Sequence, residues 1–569
     1  MKMKKTTIIF LAISLLMSAV VQAQSLSDGI NDLHAGRVTN AVNTFKQILQ
    51  RNPNDIEATY WLGQAILETE EIAGTRIKQV KDLYEKALQN SANAPLLVIG
   101  MGQIDLLENR PSEARQKFES ALKEAETRKG FPPELLTAVG RANVESKNGD
   151  YNYAIQKLDN ATDKGKDPYI YILLGDAYRL AGRGEGGGDA YQSYNKILKD
   201  EPNYAPAYMS LAKIFESQKN WSYVLKYLLD AVSKDPSYTK GYYELFYYYF
   251  YRKNYDEAEK YLVKYIDSKK PVTEVADEYL YAQLCWARKD FKCAIQKAES
   301  VVNALGTDTK PKIYRLLADA GYQDSNYELA KKYSDLFFER KNLDDVLLTD
   351  YENRADILEK LPNSTDENVY DTYIQGMNVD TTVDAKLGFL RKGQMYFAKK
   401  KERDYQIMID QKLIDLRPEP LVNDYFDITV AYYFKPDYFK CLDAAEVLRT
   451  KFPEEIYGYE WAYNAANAIQ GDTTNKISQD SIGFPQYFRL YEYAQKDTVE
   501  YKKQYLNSVK SLAAYYINEK KDRDKSLEFF RKWLAADPSN AESIQGYINQ
   551  IEKMPANKPA TESKPNGSK

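Results

Sequence analysis

The chain is expected to fold as an all-α solenoid of stacked helix-turn-helix units, on three observations. A pattern of apolar and small residues returns after 34 positions: Leu211, Ala212, Phe215, Val224, Leu228 and Ala231 fall on Leu245, Phe246, Tyr249, Ala258, Leu262 and Tyr265. A proline ends each copy, Pro236 and then, one place late, Pro271. Within a copy the apolar residues recur at intervals of three and four, which gives each helix one buried stripe. A single helix pair leaves an apolar face bare, so stability requires stacking.

Taken in order, Met1–Ala23 reads as a secretory signal. Lys2, Lys4 and Lys5 precede the apolar run Ile8–Val21, and Val21-Gln22-Ala23 supplies a cleavage site. The run of about 14 residues is shorter than the roughly 20 that span a bilayer. No cysteine follows it, which disfavours a lipid anchor. The expectation is export, with cleavage after Ala23 and a mature start at Gln24; an uncleaved anchor is the alternative.

Residues 24–340 read as a regular array. The first copy shows Gly29, Ala41, Phe45 and Pro53; the second shows Trp61-Leu62-Gly63, Tyr84 and Ala87. Gly102, Ala114, Phe118 and Ala121 mark the third, and Ala142, Ala154 and Ala161 the fourth. The fifth carries Leu174-Gly175, Ala177-Tyr178, Ala190, Tyr194 and Pro202. Its turn holds the run Gly182-Arg183-Gly184-Glu185-Gly186-Gly187-Gly188, expected to be a loop because glycine disfavours helix. The run lacks the Gly-Lys-Ser/Thr of a phosphate loop. In the sixth copy the first helix is expected over Ala207–Ser217 and the second over Ser222–Lys234. Asp235-Pro236 stops the second, since the residue before proline disfavours the helical conformation. Ala294, then Leu317-Ala318 with Ala330, mark the eighth and ninth.

Residues 341–455 read as looser units, with helices over Tyr351–Leu361 and Glu367–Met377, then Gly393, Tyr396, Pro418, Ala431, Leu448 and Pro453. Residues 456–553 are irregular: the period is disturbed from Tyr457 to Gln495, with a polar insertion at Gly471–Ser481. A last copy (Ala513-Ala514, Phe530, Trp533, Pro538) and a closing helix over Ala541–Lys553 follow. Residues 554–569, rich in Pro, Asn, Lys and Ser, read as a disordered tail.

These residues resemble the tetratricopeptide-repeat family over Ser25–Lys553, in about 12 to 14 units. The resemblance implies a right-handed superhelix whose concave groove is lined by defined positions of each first helix. Carried over, those positions are Lys240, Tyr243, Tyr247, Phe250 and Tyr251, then Tyr279, Gln283 and Trp286, then Arg315, Asp319 and Tyr322. The candidate partner-binding residues are therefore Tyr243, Tyr247, Phe250, Tyr251, Tyr279, Trp286, Arg315 and Tyr322. Tyrosine and tryptophan give large contact area with a polar tip. Tyr247, Tyr248 and Tyr249 cannot all face one way. Chaperone-tail-binding members of the family hold a terminal carboxylate in a Lys/Asn/Arg clamp. The corresponding places here are Tyr60, Ile172, Met209 and Tyr243, then Gln64, Asp176, Lys213 and Tyr247, so that role is not expected.

Composition narrows the function. Seventy-eight basic residues against 82 acidic ones give a net charge of −4 with no basic run, which argues against nucleic acid as partner. His34 is the only histidine, so neither a zinc site nor a histidine-based catalytic set is expected. Adjacent carboxylates such as Asp256 and Glu257 read as solvated faces. Glu-Ser pairs such as Glu119-Ser120 match the acid of lytic transglycosylases only by chance. The protein is expected to be no enzyme, with no cofactor or metal. Of three cysteines, Cys285 and Cys293 lie on the two helices of one unit; they are either a pair formed in an oxidising compartment or buried thiols. The leading expectation is an exported scaffold in the cell envelope or periplasm, peripheral to a membrane complex, holding a peptide or partner domain in its groove. The alternative is a glycan- or nutrient-binding envelope protein that stacks Trp286 and Tyr243 on sugar rings. Partner identity and oligomeric state are left open.

Overall fold

The computed structural model describes residues 25–69, 73–182, 186–272, 274–340, 346–379, 382–472 and 477–555. The signal reading of 1–23 lies outside them, as do 183–185 of the glycine run and 556–569 of the tail. The described residues are helical apart from turns, with one isolated bridge between Thr127 and Gly130. They divide between Phe337 and Phe338 into two compact units.

The first unit begins with α1 (Leu26–Ala35), α2 (Val38–Arg51), α3 (Ile56–Leu67) and α4 (Ala73–Leu88). Next come α5 (Pro95–Leu107), α6 (Pro111–Glu124), α7 (Pro133–Val144), α8 (Tyr151–Thr162), α9 (Tyr169–Leu180) and α10 (Gly186–Asp200). It continues with α11 (Ala205–Ser217), α12 (Trp221–Lys234), α13 (Thr239–Tyr251) and α14 (Tyr255–Ser268). The last four are α15 (Asp277–Ala287), α16 (Phe291–Leu305), α17 (Pro311–Gln323) and α18 (Tyr327–Arg340), within which the division falls. Each helix packs on the next in sequence, and odd-numbered helices pack on one another, α3 on α5, α5 on α7, α7 on α9. The odd helices therefore make one continuous layer and the even helices the other.

The spacing inside a pair has a local cause. Gly63 of α3 faces Tyr84 of α4, and a Cβ added to Gly63 would fall on the tyrosine ring and hydroxyl. Tyr84 is fully buried and donates from Oη to the Tyr60 carbonyl at 2.8 Å. Gly175 of α9 meets Tyr194 of α10 in the same way. The pair turns at a left-handed residue, a glycine at Gly36 (φ 86°) and lysines at Lys219, Lys253 and Lys289 (φ 56°, 59° and 63°). Asp150, Asn254 and Asp290 then cap the second helix, each side chain accepting from the backbone N–H three residues on.

One expectation is corrected. The run Gly182–Gly188 is not a loop throughout, because Gly186, Gly187 and Gly188 open α10. The first N–H groups of a helix have no intrahelical partner, so the backbone there is least demanding. Ala190 and Tyr194, both fully buried, anchor the rest of that helix.

The second unit runs through α19 (Leu348–Lys360), α20 (Asp366–Gly376), α21 (Val383–Lys400), α22 (Arg403–Leu416), α23 (Val422–Phe434) and α24 (Tyr438–Lys451). It ends with α25 (Tyr457–Gly471), α26 (Gly483–Ala494), α27 (Lys502–Asn518), α28 (Arg523–Ala536) and α29 (Ala541–Glu552). The disturbed stretch is thus a helix pair whose Tyr463, Tyr487 and Leu490 share a core with Val509 and Leu512. The closing helix α29 buries Ile544, Ile548 and Ile551 in the same core.

A buried polar network crosses this unit. Arg391 donates to Asp424 and Asp427 at 2.7 Å each, and Gln394 donates to Asp427 at 3.1 Å. Asp410 is buried beside them, and its Oδ1 has no partner. Burial and then the Asp427 charge push its carboxyl up to about 8. An unfolded aspartate ionises near 4, so the fold holds this proton more tightly and loses stability as pH rises from about 4 to about 8. Asp410→Asn is expected to match the parent near pH 4 and to exceed it by at least ~1 kcal/mol at pH 8, read by urea unfolding. A difference independent of pH would contradict a buried neutral acid. Gly63→Leu is expected to lower stability by roughly 2–4 kcal/mol through overpacking against Tyr84. Gly74→Ala, with open space at its Cβ, is the contrasting variant and should not destabilise.

Candidate functional site: the inner face of the first unit

Helix α13 carries six consecutive aromatic residues, Phe246 to Tyr251. Helical geometry separates them by face. Tyr242, Leu245 and Phe246 are buried in the core with Leu262 of α14 and Leu280 of α15. Tyr243, Tyr247 and Tyr251, four apart, share one face. The Tyr243 and Tyr247 rings meet edge to face at 5.0 Å, and Tyr247 and Tyr251 stack at 5.7 Å. Tyr248 leaves this row: its Oη donates to the Trp221 carbonyl at 3.2 Å, and Arg252 lies over both rings at 4.4 Å and 3.7 Å. Tyr249 leaves it too, stacking on Tyr261 at 5.5 Å. The three adjacent tyrosines do point three ways.

Two cavities meet at Tyr243 and Tyr247. The larger, about 820 Å³, lies between α11, α12 and α13 over Met209, Val224, Leu228 and Tyr251, with Lys213, Glu216, Glu244 and Arg252 at its edges. The smaller, about 460 Å³, lies toward α15 and α17 and adds Tyr265, Tyr279, Leu280 and Ile313. Its floor is polar. Lys269 is buried and donates to Glu274 at 2.8 Å and Asp277 at 2.5 Å. Burial raises the Asp277 carboxyl, and the lysine opposes that rise. Burial also pushes the Tyr279 phenol up to about 12 and holds that of Tyr247 well above its ordinary value. These tyrosines are neutral donors at any physiological pH. Tyr247 uses its Oη toward Gln283, at 3.1 Å.

Of the eight residues expected to bind a partner, Tyr243, Tyr247, Tyr251 and Tyr279 line these cavities. Phe250, Trp286, Arg315 and Tyr322 line neither. Phe250 packs on Phe246 and Tyr255, at 5.6 and 6.0 Å. Trp286 is 39 % exposed and donates from Nε1 to Asp319. Arg315 lies over Phe337 at 4.8 Å, and Tyr322 sits beside Tyr327 at 5.8 Å. Cys285 and Cys293 are joined as a disulfide across the turn from α15 to α16, with Cα atoms 5.7 Å apart.

A second set of residues carries no signal in the repeat pattern. The first two repeats meet the seventh and eighth. Thr39 Oγ1 donates to Glu274 at 2.6 Å, Arg37 donates to the Ser237 carbonyl, and Lys240 pairs with Glu68 at 3.4 Å. Ala35 joins the core cluster of Tyr238 and Phe246. This seam brings Thr75 and Gln79 of α4 into the lining of the smaller cavity. Inside the seam His34 stacks on Tyr169 at 3.6 Å and stands edge-on to Trp61 at 5.9 Å. Burial, with the charges of Arg141 and Lys240, pushes the imidazole well below its usual range. Arg141, itself buried, pairs with Glu145 at 3.3 Å and lies over Trp61 at 4.6 Å. Among the described residues no cluster of three or more His, Cys, Asp or Glu side chains could hold a metal ion, and no helix is long and apolar enough to cross a membrane.

A family model of the tetratricopeptide repeat matches residues 29–95, which hold the first two helix pairs. No curated protein matches the chain. Among solved structures, it is similar to the C-terminal part of a TPR repeat-containing protein from Cytophaga hutchinsonii, at 25% identity over 47% of this chain and 98% of that one, with a TM-score of 0.27. A tetratricopeptide repeat protein from Parabacteroides merdae matches at 17% identity over 46% and 97%, with a TM-score of 0.34. Yeast Tom70 matches at 14% identity over 76% and 99%, with a TM-score of 0.33. The matched segment, residues 29–95, has the tetratricopeptide-repeat pattern, and the same pairing of helices carries on through both units.

Proposed function

We propose that the protein is an exported scaffold of the cell envelope that holds a peptide segment or partner domain against the inner face of its first unit. Tetratricopeptide repeats generally mediate protein–protein interaction, binding peptide or protein partners. The observation that carries the reading here is the pair of cavities meeting at Tyr243 and Tyr247. Rings with polar tips beside mixed charges are the chemistry of a binding hot spot. No set of groups in it is arranged as nucleophile, base and electrophilic donor, so binding rather than turnover is the reading. Export is supported by the Lys2–Ala23 pattern and by the Cys285–Cys293 disulfide, since such bonds persist in oxidising compartments. Glycan binding is the second reading, favoured by the tyrosine rings of the smaller cavity.

The test is affinity capture from crosslinked cell envelope, comparing the parent with Tyr243→Ala/Tyr247→Ala. The parent is expected to retain a protein that the variant loses at least tenfold, with unchanged helicity by circular dichroism. Equal recovery by both would remove the cavities as the site. A glycan library that raises the parent's melting temperature by several degrees, with no protein captured, would favour the second reading.

A further inference from the structure

The smaller cavity is lined from two distant parts of the chain. Its walls on one side come from α13, α15 and α17, and on the other from Thr75 and Gln79, roughly 200 residues earlier in the chain. Thr75 and Gln79 are four apart on one face of α4, both exposed. The seam contacts of Arg37, Thr39 and Lys240 hold that face across the opening. Glu274 ties the two features together, because it lines the cavity, accepts from Thr39 and pairs with Lys269.

We propose that this cavity is a socket for one uncharged aromatic side chain of the partner, tyrosine or tryptophan, and that Thr75 and Gln79 are residues that determine its specificity. The inference rests on the scaffold reading above. Charge supports it. The lining holds three acids, Glu274, Asp277 and Asp308, and two lysines, Lys310 and Lys312, while Lys269, outside the lining, pairs with Glu274 and Asp277. Charges of both signs are present, and two of the three acids are already paired. The rings of Tyr243, Tyr247, Tyr265 and Tyr279, with Leu280 and Ile313, favour a flat apolar body, and their hydroxyls favour a polar tip on it. A volume of about 460 Å³ admits a side chain with its adjoining main chain. Nothing in the repeat's own pattern marks Thr75 and Gln79, because they lie on a second helix, outside the positions that face the groove.

The experiment titrates the full chain with N-acetyl-tyrosinamide and N-acetyl-tryptophanamide, with N-acetyl-alaninamide and a methyl glucoside alongside, by saturation-transfer NMR and calorimetry. Both aromatic amides are expected to bind with millimolar affinity, and the alanine amide not to bind. Thr75→Arg and Gln79→Arg are each expected to weaken them at least tenfold, as is Tyr243→Ala, while Lys226→Ala does not. The melting temperatures of the α4 variants should stay at the parent value, because both positions are exposed. Aromatic binding that Tyr243→Ala abolishes but the α4 variants leave intact would overturn the role of the far wall. Binding of the glucoside alone, or of no aromatic amide, would overturn the socket. If the amides behave as expected and no protein is captured from the envelope, the scaffold reading fails while the socket stands. If a protein is captured and survives the α4 substitutions, the socket alone fails.

Discussion

In each of the first five repeats the distance between the paired helices is set where one small position meets one large side chain. Gly29 faces Phe45, Gly63 faces Tyr84, Gly102 faces Phe118, Gly140 faces Leu158 and Gly175 faces Tyr194. Every one of these large side chains is almost fully buried. A glycine inside a helix carries a conformational cost of about 1 kcal/mol. It is offset because the backbone can approach a bulky neighbour that a Cβ would hold off. The remainder follows from that approach: a tight pair presents two opposite faces, one for the next pair and one for the inner layer. The side chains of the inner layer, Tyr243 and Tyr247 among them, hold their directions because the layer beneath does not shift.

How much of this was legible in the chain depends on how local each constraint is. The glycine–aromatic contacts, the Asp or Asn caps and the terminating prolines all act within one repeat, so they recur in the sequence at the period of the repeat and give the fold class directly. The division of Tyr247, Tyr248 and Tyr249 among three faces is equally local and follows from helical geometry. The seam is different. Arg37 and Ser237, or Thr39 and Glu274, are ordinary polar residues with no shared spacing, and only the path of seven stacked pairs brings them together. The candidate strip shows both cases at once. Position within a helix gives the face of Tyr279 and of Trp286 alike, but whether a residue enters a cavity depends on neighbours contributed by other repeats. Trp286 finds Asp319 instead. The glycine run shows the opposite failure. The local rule against glycine in helices does not hold at Gly186–Gly188, where the first turn relaxes it.

The two charged interiors illustrate how the fold tolerates buried ionisable groups. Lys269 is satisfied by two carboxylates and Arg141 by Glu145 and aromatic faces, so each cation is compensated where it lies. His34, between Arg141 and Lys240, is held neutral by its surroundings and has no acidic partner to make it a base. In the second unit Asp410 meets its burial by keeping a proton. Structural compensation of this kind accounts for these four groups.

A stack of helix pairs ordinarily couples each repeat only to its neighbours, so its ends can fray independently. The seam alters that for the first unit, because the bond from Thr39 to Glu274 joins residues 235 positions apart. Loop closure of that length is entropically unfavourable but grows only slowly with length, and its contacts give no return until the intervening repeats are in place. The N-terminal pair should therefore be the last part of the unit to gain its full protection on folding. Once closed, amide exchange in α1 should report opening of the whole ring instead of local fraying at a chain end.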